Sequence, residues 1–234
     1  RTPEYRRVHT VEELKAAVAE MGYPEKALCV KAAVGNGSRG IRMLNAPDGT
    51  PTNAVYGFVA IVRRLLELEK PDGLGVCFDV HAPTFRHRTF DGYTGTRKGM
   101  PEELREQMPL LKEVLQTMHI PIFEQEGFEA DDILGTLSAL AEKNGIVPVV
   151  VSGDRDLLQL AGETLKVRIP KTKGGRTETE DYYAADVQAK YGVTPAEFID
   201  MKALMGDASD NIPGVPGVGE KTALELVRRF GTLD

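Results

Sequence analysis

Apolar residues recur with two different periods along this chain, and the periods divide it into helices and strands. Residues 11, 14, 18 and 21 are apolar behind a Thr10-x-x-Glu13 capping box, which predicts an amphipathic helix over 11–22. A second helix is expected over 54–69 (AVYGFVAIVRRLLELE), with others near 101–118 and 129–144, the last stopped by Asn144-Gly145. Between them lie apolar runs that read as buried strands: ALCVKAAV (27–34), LGVCFD (74–79), IVPVVVS (146–152) and LKVRI (165–169). Strands alternating with helices imply an α/β domain with a largely parallel sheet. After about residue 180 no strand pattern appears. DYYAADVQAKYG, PAEFIDMKALMG and the end of IPGVPGVGEKTALELVRRFG read as short helices, so a small helical module follows the sheet.

The 234 residues suffice for one large domain or two small ones with a real core. No apolar run reaches the roughly 18 residues of a spanning helix, and no signal peptide opens the chain, so a soluble, cytoplasmic protein is expected. The first residue is Arg, and the chain stops at FGTLD, which suggests a fragment. Cys29 and Cys77 sit in apolar stretches without metal-type spacing and read as buried, reduced thiols. A net charge of −6 argues against a nucleic-acid partner until its distribution is considered. Residues 124–132 carry five acids and no base, whereas 81–98 carry four Lys or Arg against one Asp.

The acids cluster where an open α/β sheet binds ligands, beyond the carboxyl ends of its strands. Asp79 ends one strand, and Asp154 and Asp156 follow another, spaced to face the same way. Glu129 and Asp132 share one face of a helix's first turn with Asp131 beside them, and Asp207 and Asp210 repeat that spacing in GDASDN. Gathered together, these eight would repel and raise one another's pKa values unless something cationic neutralised them. Carboxylates without His or Cys suit Mg²⁺ or Mn²⁺, and two such ions can activate a water and stabilise a leaving oxygen at a phosphodiester. The plainer alternative makes each acid a helix cap, which explains one pair more easily than four clusters. His9, His81, His87 and His119 show no ligand spacing, and no Ser lies in a nucleophile elbow.

Two further segments suit phosphate. In IPGVPGVGEKTA (212–223), Gly214, Gly217 and Gly219 form a tight hairpin, followed at once by a helix carrying Lys221. That arrangement can present backbone N–H groups to a phosphate without reading sequence. In 84–98, Phe85, Phe90 and Tyr93 interleave with Arg86, Arg88, Arg97 and Lys98, which suits either single-strand contact with base stacking or a solvated basic loop. A third glycine-rich stretch, GNGSRG (35–40), matches the dinucleotide fingerprint in spacing alone. A turn at Pro47-Asp48-Gly49 follows it in place of a helix, and 53–62 lack the acidic ribose ligand.

The motifs PTNAVYGF, FDVHAPTFRH, GFEADDILG, SGDRDLLQL and GDASDNIPGVPGVGEKTA together resemble the 5′-nuclease domain of bacterial DNA polymerase I, a member of the flap endonuclease superfamily. The likeness runs from about Leu44 to Asp234. It implies an α/β PIN-like domain with a mostly parallel central sheet and a helical arch, plus a C-terminal helix-hairpin-helix module. The expected division is a divergent segment 1–44, a nuclease domain 45–180 with its arch at about 84–110, and a truncated DNA-binding module 181–234. The implied activity is Mg²⁺- or Mn²⁺-dependent hydrolysis of DNA with a 5′ flap or free 5′ end, in replication and repair. A polymerase domain in the full-length chain is an implied partner. By position, Asp79, Glu129, Asp131 and Asp132 would hold one ion, and Asp154, Asp156, Asp207 and Asp210 the second, some through water. Arg86 and Arg97, with Lys98, would lie near phosphates, and the hairpin would hold duplex with a K⁺ ion.

Two departures qualify that activity. The family's first strand ends in a metal-binding Asp, which counts back to near Cys29, where this chain has no acid. The family's arch places a catalytic Lys after its tyrosine, and here Thr94 follows Tyr93. Impaired cleavage with retained DNA binding is therefore expected. A phosphohydrolase of small substrates would have no use for the hairpin. Residues 22–44 instead resemble a piece of an ATP-grasp domain, with Lys31 as the strand lysine, although the later acidic ligands of that family are missing and ATP is not an expected ligand. A junction between unrelated pieces near Leu44 is the corresponding expectation.

Overall fold

The computed structural model describes residues 26–31, 49–97, 99–173 and 176–233. The expected helix over 11–22, the GNGSRG loop, the proposed junction near Leu44 and Lys98 lie outside the described residues. Strand β1 (Lys26–Lys31) stands inside the sheet. Helix α1 (Asn53–Glu69) leads to β2 (Gly73–Cys77), and α2 (Phe85–Thr89), α3 (Glu102–Arg105) and α4 (Gln107–Thr117) follow. Then come β3 (Ile122–Phe123), α5 (Ala130–Lys143), β4 (Val147–Val151), a 3₁₀ turn (Arg155–Leu160), β5 (Lys166–Lys173) and β6 (Arg176–Tyr182). Helices α6 (Ala184–Tyr191) and α7 (Pro195–Met205), a ribbon of β7 (Gly206–Asp207) with β8 (Ile212–Pro213), and α8 (Glu220–Phe230) complete the chain.

The six strands lie in the order β3-β2-β1-β4-β5-β6, parallel except for the antiparallel β5–β6 pair. The chain leaves β1 toward β2 and β3, then returns to pair β4 on the other side of β1. That reversal opens a crevice at the carboxyl ends of β1, β2 and β4, where α/β sheets bind ligands. In register, Val30 is level with Val76 and Val151.

The period-2 alternation of β4 sorts its side chains between two cores. Val149 and Val151 join Val62 and Leu65 of α1 and Leu111 and Leu115 of α4 on one face. Val150 joins Leu134 and Leu137 of α5 on the other, and that core continues through Val187, Phe198, Ala223 and Val227, so the helical module shares it with the sheet. Cys77 is buried, as expected. The anticipated helix at 101–118 is two helices, α3 and α4, meeting at Glu106. Strand β6 was not foreseen, because RTETEDY is polar on both faces and pairs along an edge.

Candidate active site

Asp79 follows β2, and Asp154 and Asp156 follow β4, so two of the four acidic clusters emerge at the crevice by strand direction alone. Asp79 Oδ1 accepts a hydrogen bond from the Ala130 N–H at 2.8 Å, which joins the β2 end to the start of α5. Glu129 caps that helix, and Asp132 returns its carboxylate to the Glu129 N–H at 2.9 Å. Asp131 lies in the same first turn. The capping role is therefore real for this cluster, alongside any ligand role. Asp154 also caps, accepting from the Asp156 N–H at 2.9 Å.

Basic side chains from distant segments enter each cluster. Arg86, on α2, makes a two-pronged pair with Asp132 at 2.7 and 2.8 Å and lies 3.7 Å from Glu129. The Asp132 hydrogen bonds hold its guanidinium more firmly protonated, against the cost of burial. Lys202, on α7, lies 3.1 Å from Asp156 and 2.6 Å from Asp207. Arg97 pairs with Asp210 and donates from Nε to the Ser209 carbonyl at 3.2 Å.

These contacts set the titration of the second acidic group. Burial pushes the Asp156 carboxyl up, and Asp154 and Asp207 add to that push while Lys202 opposes it. Burial also works against ionised Asp207, but bonds from Lys202 and Ser209 outweigh it and hold Asp207 below the usual carboxylate range. Among the described residues, no three acidic, His or Cys side chains stand close enough together to hold a metal ion as they are. The donor chemistry, oxygen only and strongly anionic, nonetheless fits a hard divalent cation.

The segment expected to form the arch, 84–110, is moored in its middle and near its C-terminal end. The Thr94 N–H donates to the Asp210 carbonyl at 2.8 Å, and Asn211 Nδ2 donates to the Gly92 carbonyl at 2.8 Å. Gln107, fully buried at the foot of α4, accepts from the Ala54 N–H at 2.8 Å and donates to Asn53 and to the Glu103 carbonyl. Tyr93 corrects the expectation of an aromatic stacking strip. It is buried, and its ring stands nearly perpendicular to that of His87 with the centroids 5.0 Å apart. Burial raises its pKa and Glu129 raises it further, so it stays a neutral donor. Phe85 and Phe90 remain exposed.

The hairpin glycines divide by role. A Cβ on Gly214 would meet the Met205 carbonyl carbon at 2.3 Å, so this glycine serves close backbone packing and does not face outward. Gly217 has a left-handed φ of +81°, and neither it nor Gly219 would bring a Cβ near any atom. Both therefore lie on the open side, next to exposed Lys221 at the start of α8. Lys202, Gln107 and Asn211 were not foreseen. Their partners lie 46, 53 and 119 residues away, beyond any local spacing rule.

An α/β sheet with carboxylates at the carboxyl ends of its strands, followed by a glycine hairpin that leads into α8, fits the 5′-3′ exonuclease family. Residues 37–192 match the family model described as 5′-3′ exonuclease, N-terminal resolvase-like domain, and 193–234 match the 5′-3′ exonuclease, C-terminal SAM fold. The chain belongs to this family, and its nuclease domain is of the kind found in bacterial DNA polymerase I. It is 51% identical over 192 residues to DNA polymerase I of Bacillus caldotenax and 51% identical over 192 residues to that of Bacillus subtilis. Each comparison covers 82% of this chain and 22% of the relative, so the chain spans about a fifth of those proteins. A bacteriophage T5 flap endonuclease solved with DNA and metal ions shares the fold at a TM-score of 0.69 and 23% identity, over 89% of this chain and 76% of that one. The family match begins at residue 37, ahead of the boundary expected near Leu44.

Proposed function

We propose that this chain is the 5′ nuclease part of a longer protein and hydrolyses phosphodiesters in DNA bearing a 5′ flap or free 5′ end, using two Mg²⁺ or Mn²⁺ ions. The observation that carries this reading is the filling of each acidic cluster by a basic side chain, Arg86, Lys202 or Arg97. The site is anionic enough to hold cations, and its resident ones are arginine and lysine groups that could turn to phosphate. Asp79, Glu129, Asp131 and Asp132 would hold one ion, and Asp154, Asp156, Asp207 and Asp210 the other. Bound there, such a pair supplies an activated water and charge for the leaving oxygen.

The chain's own groups do the rest. Arg86 and Arg97, released from their carboxylates, bind the phosphate being cut, and Lys98 follows Arg97 along the strand. Neutral Tyr93 braces Glu129. The arch at 84–110 guides the 5′ strand, and Gly217, Gly219 and Lys221 hold duplex, with K⁺ as the ion that suits the hairpin. The division at residues 44 and 180, a polymerase partner domain, a role in replication and repair, and a cytoplasmic location belong to the same proposal.

Cleavage is slow in this reading, because Thr94 stands where the family carries Lys and no acid lies near Cys29. Losing one such group costs a few kcal/mol of transition-state stabilisation, with about 1.4 kcal/mol per tenfold in rate. A DNA-binding domain that barely cuts is the second reading, favoured by the same two positions. A labelled 5′-flap duplex, assayed for binding in Ca²⁺ and for cleavage in Mg²⁺, separates the two. Absence of both binding and cleavage would sink both readings.

A further inference from the structure

Phe85 and Phe128 come from separate segments and meet ring to ring beside the first acidic cluster. Their centroids are 5.8 Å apart at 55°, and a bond from the Phe85 N–H to the Gly127 carbonyl at 3.0 Å fixes the two backbones together. Despite the contact, the two residues are 43% and 47% exposed, and neither belongs to either core. Packing therefore gives little reason for two large apolar rings here. Their rim is cationic. The Arg86 guanidinium lies 4.5 Å from the centre of the Phe85 ring while holding Asp132, and an Arg88 nitrogen comes within 3.9 Å of where a Cβ on Gly127 would stand.

A flat apolar surface rimmed by guanidinium groups suits a ligand that is itself flat and carries a phosphate. We infer that Phe85 and Phe128 form a stacking platform for one unpaired nucleobase, that of a nucleotide adjoining the phosphate at the acidic cluster. This deepens the nuclease reading and rests on it. The base lies on the exposed ring faces, and its phosphate turns toward Arg86 and Arg88. Holding the base on the ring beside Arg86 fixes where its phosphate sits relative to Asp79 and Asp132. Stacking tolerates any base, because every base has a π-face.

The test is a double-mutant cycle between protein and DNA, read as binding of labelled 5′-flap duplexes in Ca²⁺. An abasic residue is walked one nucleotide at a time across the junction, against the wild type, Phe85→Leu/Phe128→Leu and Phe85→Tyr/Phe128→Tyr. Wild type is expected to lose about 5- to 150-fold in affinity at one abasic position, the range of aromatic–base stacking. The Leu pair should lose the same on intact DNA and be indifferent to the abasic residue at that position, whereas the Tyr pair keeps wild-type behaviour. If the Leu pair does not fold, the scan on wild type and the Tyr pair still decides. A Leu pair that loses further at the abasic position by as much as wild type does, or no abasic-sensitive position in wild type, overturns the platform and leaves the nuclease reading standing. Failure of wild type to bind any of the duplexes overturns both.

Discussion

Replacing Lys202 with Met removes the one cation that the described structure sets between Asp156 and Asp207 while keeping the aliphatic stem. At an effective dielectric near 20, a unit-charge contact at about 4 Å is worth about 4 kcal/mol before desolvation. Burying Lys202 offsets much of that, and the Asp156 side chain, 39% exposed, is partly screened. The net loss on substitution is about 2 kcal/mol, which lowers the melting temperature by about 4–8 °C for a domain of this size. That loss should appear in EDTA at pH 7. Magnesium should then stabilise the variant more than wild type, since an ion entering the wild-type cluster must displace Lys202. A ligand at about one hundred times its Kd contributes roughly 2.7 kcal/mol, enough to close the gap. Thermal melts of both proteins with EDTA and over a Mg²⁺ series measure it. Unchanged melting in EDTA, or a gap that magnesium leaves untouched, would refute the view that Lys202 occupies a cation site.

Three further outcomes are expected. Glu69, its side chain 4% exposed, pairs with Lys166 at 2.8 Å and Arg168 at 2.6 Å, so Glu69→Ala leaves these two largely buried cations with Asp181 alone and should cost about 3 kcal/mol in urea unfolding. Thr94→Lys returns the expected arch cation and should raise the single-turnover cleavage rate at least about tenfold without tightening binding in Ca²⁺, about 1.4 kcal/mol in the transition state only. Contacts from Lys171, Tyr182 and Lys190 hold the Glu180 carboxyl down to about 2. A carboxyl depressed in the folded state stabilises above its unfolded pKa of about 4.3 and loses that as pH falls toward the folded value. Glu180→Gln should therefore cost about 1 kcal/mol or less at pH 7, given its exposure, and flatten the stability profile between about pH 4.5 and 2.

The helices and parallel strands were legible because burial imposes a period, and Val149, Val150 and Val151 alternate between two cores as that period requires. Strand β6 escaped because its edge position imposes no apolar face, and β3, β7 and β8 are two residues each. The acids of the candidate site could be read from strand ends and helix turns. Arg86 and Arg97 could be read as candidates too, but their pairing with particular acids, and Lys202 altogether, could not, since Arg86 reaches Asp132 and Lys202 reaches Asp156 only once the chain has folded. Tyr93 misled for a related reason. A tyrosine among arginines looks exposed in sequence, yet His87 and Glu129 draw it inside. Strand β1 was legible from its apolar run, and its backbone pairs with β2 on one side and β4 on the other.

The central claim is that these carboxylates make a 5′ nuclease of the site. A 5′-flap duplex labelled at its 5′ end, incubated with the chain in Mg²⁺ or Mn²⁺, tests it most directly, with Asp79→Asn/Asp154→Asn as the control and EDTA as the blank. The account predicts release of a short 5′ fragment at a slow rate, absent in EDTA and in the control, with binding in Ca²⁺ retained by wild type. Release at the same rate in the control would contradict it, as would a wild-type chain that neither binds nor cuts.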